Sequence, residues 1–335
     1  MAPFFIISDG NMDSVASILN RFQEHLSRID IPLQPEGLYA PMRYALSLGG
    51  KRMRPLLLLM AYNIYRDDVE SAFDVAAGME IFHNFTLLHD DVMDRADIRR
   101  GMPTVHRKWN ENTAILSGDG MMLIAFRFLR KAPLEYRDSI LTIADEAFMG
   151  VVDGQQFDME FESRERVTEA EYMEMIRLKT SVLPAAALKI GAVMGGAPAA
   201  DADALYRFGE RMGLAFQLQD DMLDVYGDPK VFGKNIGGDI VCNKKTYLYI
   251  MARNLADSAI NAELDRWETY EGSDKQPKID AVRSIYDRLD VRARCQSRID
   301  GLFSEAMGCV ADLDVDKNRL SNLTAYVSSL INREL

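Results

Sequence analysis

Apolar positions in this chain recur at three- and four-residue spacing over long stretches and almost nowhere in strict alternation, which predicts helices throughout. Pro55 can occupy the first position of a helix, and the apolar run over 56–65 continues it. Further helical patterns cover 70–94, 113–131, 134–159, 168–194, 202–226, 245–266, 279–307 and 317–333. Between them stand Gly49-Gly50, 101–103, Gly195-Gly196-Ala197-Pro198, the glycine-rich stretch 227–238 and 271–277, residues that punctuate turns. Pro184 is different, because it falls inside a helical pattern, where it predicts a kink and freed carbonyls nearby. No β-branched alternation bounded by hairpin turns is present, no segment has the length and polarity of a linker, and no period repeats. The expected fold is therefore all-α, one domain over residues 1–335, built as a large bundle of roughly ten or more helices. Several patterns, such as 79–88 and 121–129, are apolar on more than one face. Such helices lie centrally or pack on another subunit, so a homodimer is expected.

Composition narrows the partners. Apolar residues make up 48% of the 335 positions, and 51 acidic residues against 39 basic leave a net charge of −12. Nucleic acid, which needs a basic footprint, is disfavoured. Against that acidic background the local clusters Lys51/Arg52/Arg54 and Arg95/Arg99/Arg100 gain weight. The dense apolar run over 56–65 is too short to cross a bilayer, so no transmembrane segment is expected, and the run over 4–7 lacks the flanks of a signal peptide. Cys242, Cys295 and Cys309 are odd in number and scattered, which suggests a reducing, cytoplasmic setting without a disulfide framework.

Two acidic pentads of the same form, Asp90-Asp91-Val92-Met93-Asp94 and Asp220-Asp221-Met222-Leu223-Asp224, close two of the apolar patterns. On a helix, positions i, i+1 and i+4 fall within about a third of the circumference, so each pentad gathers three carboxylates. One such pentad is usually a solvated face. Its recurrence in apolar surroundings points instead to hard divalent cations completed by a phosphorylated ligand. Gly49-Gly50-Lys51-Arg52-Met53-Arg54-Pro55 puts three cations on a loop feeding a helix N-terminus, where an anion is favoured. It is not a Walker A loop, and taken alone it is a solvated basic turn. Arg99 and Arg100 either neutralise the first pentad or offer forks to two diphosphates. His83 is by default a satisfied helix histidine; with four histidines and no Cys/His spacing a zinc site is not expected. Beyond these stand Lys179-Thr180, Phe216-Gln217, Lys234 and Lys244, the third of them in the glycine-rich stretch after the second pentad, a composition suited to closing over phosphates.

Together these residues resemble the trans-isoprenyl diphosphate synthases, the polyprenyl synthetase family. The resemblance runs from Gly49 to about Thr246 and includes Gly-Gly-Lys-Arg-x-Arg-Pro, His83, the first pentad, Arg99-Arg100-Gly101, Gly118-Asp119, Gly154-Gln155-x-x-Asp158, Lys179-Thr180, Gln217 with the second pentad, Gly233-Lys234 and Lys244-x-Thr246. It departs at Asn243, where many members carry glycine, and at the C-terminus, which lacks a basic tail. The resemblance implies the isoprenoid synthase bundle with a central active-site cavity. It also implies magnesium, three ions with substrate bound and manganese able to substitute, between Asp90, Asp91, Asp94 and Asp220, Asp221, Asp224. Arg99, Lys179, Lys234 and Lys244 would complete the cradle of an allylic diphosphate (C5, C10 or C15). Isopentenyl diphosphate would sit without metal on Lys51, Arg52, Arg54, His83 and Arg100. Thr180 and Gln217 would steady the cation formed when the allylic diphosphate leaves.

The implied reaction is head-to-tail condensation of the two diphosphates, and no nucleophilic side-chain set is evident to compete with it. Phe85, five positions before Asp90, and Phe82, three further back, can face a growing tail, beside the small Thr86. That pattern implies a short all-trans product, C20 ahead of C15. Alternatively, Phe82 and Phe85 are ordinary core and facing helices set the depth. Two other readings are a class I terpene cyclase, against which the intact second pentad and the Lys51/Arg54 cluster speak, and a non-catalytic partner subunit, which typically loses a pentad.

Overall fold

The structure is a computed structural model describing residues 14–227 and 236–331. The 4–7 run, Lys234 with most of its loop, and residues 332–335 lie outside the described residues. The chain divides into two compact units, each drawn from separate stretches of sequence.

The first unit comprises residues up to Asp145 together with Ala186–Leu205 and Asp314–Leu323. It holds α1 (Val15–Ser27), α2 (Glu36–Ser47), α3 (Met53–Tyr65), a 3₁₀ turn (Val69–Ala72) and α4 (Phe73–Met93). A two-stranded hairpin follows, β1 (Ile98–Arg99) with β2 (Met102–Pro103), then α5 (Val105–Lys108) and α6 (Glu111–Leu129). In α4 nearly every position from Phe73 to Phe85 is buried, as its all-round apolar pattern requires. The 3₁₀ turn takes the start of the expected 70–94 helix. A tight partner for α4 is α6: a methyl at Gly78 would sit 3.0 Å from the Ala125 carbonyl, and one at Gly118 would collide with the His89 ring. Leu56–Ala61 of α3 are buried without a break.

The hairpin was not expected from the apolar pattern. Its two central residues, Arg100 and Gly101, have φ of 53° and 77°, the signs of a type I′ turn that matches strand twist. Arginine in that conformation gives no sequence signal.

The second unit comprises Glu146–Ala185, Tyr206–Leu313 and the residues from Thr324 onward. Helix α7 (Leu134–Ser163) begins before it and α8 (Glu169–Ile176) lies within it. A π-helical turn (Arg177–Ser181) leads into α9 (Val182–Met194). The disruption expected from Pro184 is thus a widened turn just before it, where the missing proline N–H leaves carbonyls without their usual partner. Next come α10 (Ala199–Tyr226), α11 (Gly238–Val241), α12 (Tyr247–Leu255), α13 (Ser258–Glu268), α14 (Gln276–Arg288), α15 (Val291–Val310) and α16 (Lys317–Ile331), of which α10 and α16, like α9, also contain residues of the first unit. The expected 245–266 helix is two helices, because the Asp257 carboxylate caps a fresh start at Ile260 N, 2.8 Å away. The expected 279–307 helix is likewise broken, at Asp290 with φ 54°. Among the described residues no helix is long and apolar enough to cross a membrane.

Candidate active site

In the first unit the backbone opens at Gly49 and Gly50, with φ of 73° and 129°. The Arg100 guanidinium lies flat against Gly50, where a Cβ would be 2.7 Å from Arg100 Cζ, and Nη1 donates to the Gly49 carbonyl. Glycine is needed there on both counts. Lys51 is exposed on this loop, whereas Arg52 turns inward. Its φ is 48°, its side chain is buried, and it donates to Glu80 Oε1 at 2.5 Å and the Leu46 carbonyl at 2.6 Å. Asn84 also donates to Glu80, at 2.8 Å. Arg52 is therefore held in the core of its unit, apart from the exposed Lys51.

Arg54 and His83 meet at 3.0 Å, Nη1 to Nε2. Burial, then the charges of Arg54 and Arg100, push His83 well below the usual histidine range. It is neutral, so Nε2 accepts from Arg54. Burial also lowers Arg54 to about 10, against the opposing pull of Glu80, and lowers Arg100. Two arginines gathered in this way, Arg54 partly buried and Arg100 more exposed, make a place that favours an anion.

The first pentad ends α4. Asp94 N–H donates to the Asp90 carbonyl at 2.8 Å, Ala96 N–H to that of Asp91 at 3.0 Å, and Arg95 takes φ 53°, a left-handed helix stop. Its three carboxylates are not equivalent. Asp94 is exposed, Asp90 half-buried and Asp91 buried. Arg99 holds Asp91 Oδ1 with Nε at 2.8 Å and Nη2 at 2.7 Å. Burial raises Asp91, and Arg99 opposes that rise.

The second unit repeats the division. Asp221 is buried and accepts from the Tyr172 hydroxyl, Gln217 Nε2 at 3.0 Å and Tyr247 N–H at 3.4 Å. Burial first, then the charge of Asp239, push it up to about 7. Asp220 and Asp224 are half-buried, and Asp224 Oδ2 accepts from Asp239 N–H at 3.0 Å at the start of α11. Thr180 Oγ1 donates to Gln217 Oε1 at 3.0 Å, so both ends of the Gln217 amide are assigned by its partners. Two glycines make these approaches possible. A methyl at Gly154 would collide with the backbone of Lys179, and one at Gly213 would lie 2.6 Å from Ser181 Cα. Lys179 pairs with Asp158, and Lys244 Nζ stands 3.8 Å from the same carboxylate. Burial alone would raise Asp158, but the charges of Lys244 and Lys179 hold it below the usual carboxylate range.

The sequence profile of the Polyprenyl synthetase family matches residues 35–288. The chain belongs to that family. It is 44% identical over 246 residues to a geranylgeranyl diphosphate synthase of Methanosarcina mazei, covering 72% of this chain and 76% of that one. A geranylfarnesyl diphosphate synthase of Natronomonas pharaonis is 35% identical over 305 residues, covering 80% and 88%. The fold superposes on a crystal structure of geranylgeranyl pyrophosphate synthase with a TM-score of 0.92 and 38% identity, covering 97% and 100%. The chain is a prenyltransferase, and short-chain trans-prenyl condensation is its class of reaction.

The expected residues of this synthase thus fall into two sets. One unit brings together Arg54, His83 and Arg100 beside Lys51, with Asp91 on Arg99; the other brings together Lys179, Thr180, Gln217, Asp221 and Lys244. Lys234 lies outside the described residues. Phe85 and Phe82 are buried with ring centroids 5.3 Å apart, and Phe85 meets the His89 ring at 4.7 Å. Thr86 Oγ1 donates to the His83 carbonyl at 2.8 Å. The sequence reasoning gave no role to Asp158 or Tyr172. Asp158 had a signal, its place four residues after Gly154 on one helix face; Tyr172 had none.

Proposed function

We propose that this synthase joins isopentenyl diphosphate, held on Lys51, Arg54, His83 and Arg100, to an allylic diphosphate held on both pentads and on Arg99, Lys179, Lys244 and Lys234. The observation that carries the reading is Arg54 held 3.0 Å from a neutral His83, with Arg100 laid against the Gly49-Gly50 loop beside it. An anion bound there would be attracted by both arginines, and Glu80 is already bound to Arg52.

The donor chemistry fits magnesium. Asp90 with Asp94, and Asp220 with Asp224, are hard oxygen donors one helical turn apart, less buried than the central aspartates. Asp91 and Asp221 bind Arg99 and the Tyr172–Gln217–Tyr247 donors instead, and so orient each pentad. Each pair of carboxylates would hold magnesium together with diphosphate oxygens and water. Magnesium, when bound, supplies the charge that draws diphosphate off the allylic carbon. Arg99, Lys179 and Lys244 bind the departing charge. The Thr180 hydroxyl and the Gln217 amide, locked to each other and to Asp221, present fixed dipoles to the allylic cation. The isopentenyl double bond attacks that cation and the proton lost afterwards goes to the departed diphosphate, so no side-chain base is required.

A C20 product is the proposed length, with Phe85 as the floor and Phe82 packed beneath it. Phe85→Ala is expected to lengthen the product; an unchanged chain-length distribution overturns the floor. The protein is proposed to act as a homodimer, supported by an exposed apolar face on α6 made of Ile115 (43%), Leu116 (60%) and Leu123 (60%). A reducing, cytoplasmic setting is supported by three cysteines without disulfide partners. The deciding assay incubates the protein with magnesium, isopentenyl diphosphate and C5, C10 or C15 primers and weighs the products. Product from no primer overturns the proposed condensation, and turnover without isopentenyl diphosphate would favour cyclase chemistry.

A further inference from the structure

Lys278 is an ammonium buried in the second unit with no part assigned to it by the reaction. It stands in the first turn of α14 and is 3% exposed. A cation there suffers both from desolvation and from the positive end of the helix. Burial, then the neighbouring charge of Lys275, lower it from the usual lysine range. Its hydrogen-bond partners among the described residues are two neutral oxygens, Asn243 Oδ1 at 2.7 Å and the Val241 carbonyl at 3.2 Å.

Both oxygens belong to the short segment that leads into Lys244. Asn243 has φ 55°, a left-handed conformation that asparagine tolerates better than most residues, which accounts for asparagine at a position of glycine type. Its side chain is used at both ends, since Nδ2 donates to the Glu268 carbonyl at 3.0 Å, the last of α13. One residue on, Lys244 N–H donates to the Asp239 carbonyl at 2.9 Å, and its ammonium reaches toward Asp158 and hence toward Lys179. The segment is thus pinned through Asn243 to α13 and α14, and Lys278 is the cation at the centre of the pin.

We propose that Lys278 is a positioning residue: it clamps Val241 and Asn243 so that Lys244 is presented to the diphosphate that Lys179 also binds. The inference rests on the reading of Lys244 as a diphosphate ligand, and the test separates the two. Steady-state kinetics are measured with geranyl diphosphate and isopentenyl diphosphate for the full-length protein and for Lys278→Met, Lys244→Ala and the double variant. Lys278→Met raises the KM for geranyl diphosphate about tenfold, equivalent to about 1.4 kcal/mol, and leaves the KM for isopentenyl diphosphate within about twofold. The double variant is no worse than Lys244→Ala alone, because Lys278 acts only through Lys244. Should Lys278→Met fail to fold, Asn243→Gly, which suits φ 55° and removes the acceptor of Lys278 together with the donor to the Glu268 carbonyl, raises the KM for geranyl diphosphate at least as much, and a wild-type KM in that variant overturns the clamp. Multiplying effects in the double variant, or an equal rise in both KM values, overturns the clamp and leaves Lys278 a packing residue. A silent Lys244→Ala overturns the reading beneath it, and the clamp with it; a damaging Lys244→Ala with a silent, folded Lys278→Met overturns the clamp alone.

Discussion

His83 and Tyr172 show how single side chains in this synthase carry consequences that their positions in the sequence do not announce. His83 is neutral because burial and four nearby arginines, Arg54 foremost, hold its proton affinity down. In the unfolded chain it titrates at the ordinary value, so below pH about 6.5 the unfolded state binds a proton that the folded state refuses. Stability then rises with pH in that window and is lost on acidification, by about 1.4 kcal/mol per pH unit from this one group. Urea denaturation from pH about 7.5 down to about 5.5 is expected to show a slope that His83→Gln flattens. Tyr172 acts on a carboxylate instead. Tyr172→Phe removes a hydroxyl donor from the buried Asp221 and is expected to lower stability by about 1–3 kcal/mol, together with a loss of kcat as Gln217 and Asp221 lose their fixed geometry. A variant with wild-type kcat and stability would show that Asp221 is held well enough by Gln217 and Tyr247. At this scale the pentads and basic residues were legible because their spacing carries the chemistry. The inward turn of Arg52 was not legible, since it depends on a left-handed backbone at a residue type that gives no sign of it.

The helices place these groups by touching where two glycines allow it. Gly154 lies on α7 and faces the backbone of Lys179 in the π turn, so Gly154→Ala forces the two apart. The Lys179–Asp158 pair and the Thr180–Gln217 hydrogen bond separate together. The expected result is a fall in kcat of about a hundredfold with a loss of about 1–3 kcal/mol in stability from overpacking; activity within about twofold of wild type would show that the turn can yield. Helix identity was legible in the apolar period, and most expected helices are present. Breaks were harder to see. Asp257 and Asp290 interrupt what the period alone joins, one by capping and the other by a left-handed φ. Each is an ordinary surface residue in a helical pattern until its backbone is known. Pro184 was legible as a disturbance, but the widened turn it accompanies sits before it, because the proline frees carbonyls on its N-terminal side.

For the molecule as a whole, a net charge of −12 over 335 residues is the background against which the local basic clusters at the proposed diphosphate sites stand out. The exposed leucines of α6 extend this to assembly. Leu116→Glu with Leu123→Glu is expected to yield a monomer in sedimentation, because a stable interface needs about 1,200–2,000 Å² of mostly uncharged contact, while the double variant's helix content stays unchanged. A dimer that survives both charges would place the contact elsewhere. All-α architecture was legible at this scale from the near absence of alternation. The division into two compact units was not, because each unit is assembled from separated stretches and no linker marks the seam.

Asp158, gripped by Lys179 and approached by Lys244, has a consequence for how substrate arrives. It is a resident anion on the lysines proposed to bind diphosphate, so under that proposal binding exchanges one anion for another rather than capturing it on bare charge. A weak anion such as chloride or a stray monophosphate gains little by competing with a carboxylate already in place. Under the same proposal, once the cleaved diphosphate leaves, Asp158 pairs with Lys179 again and returns the lysines to the geometry described above.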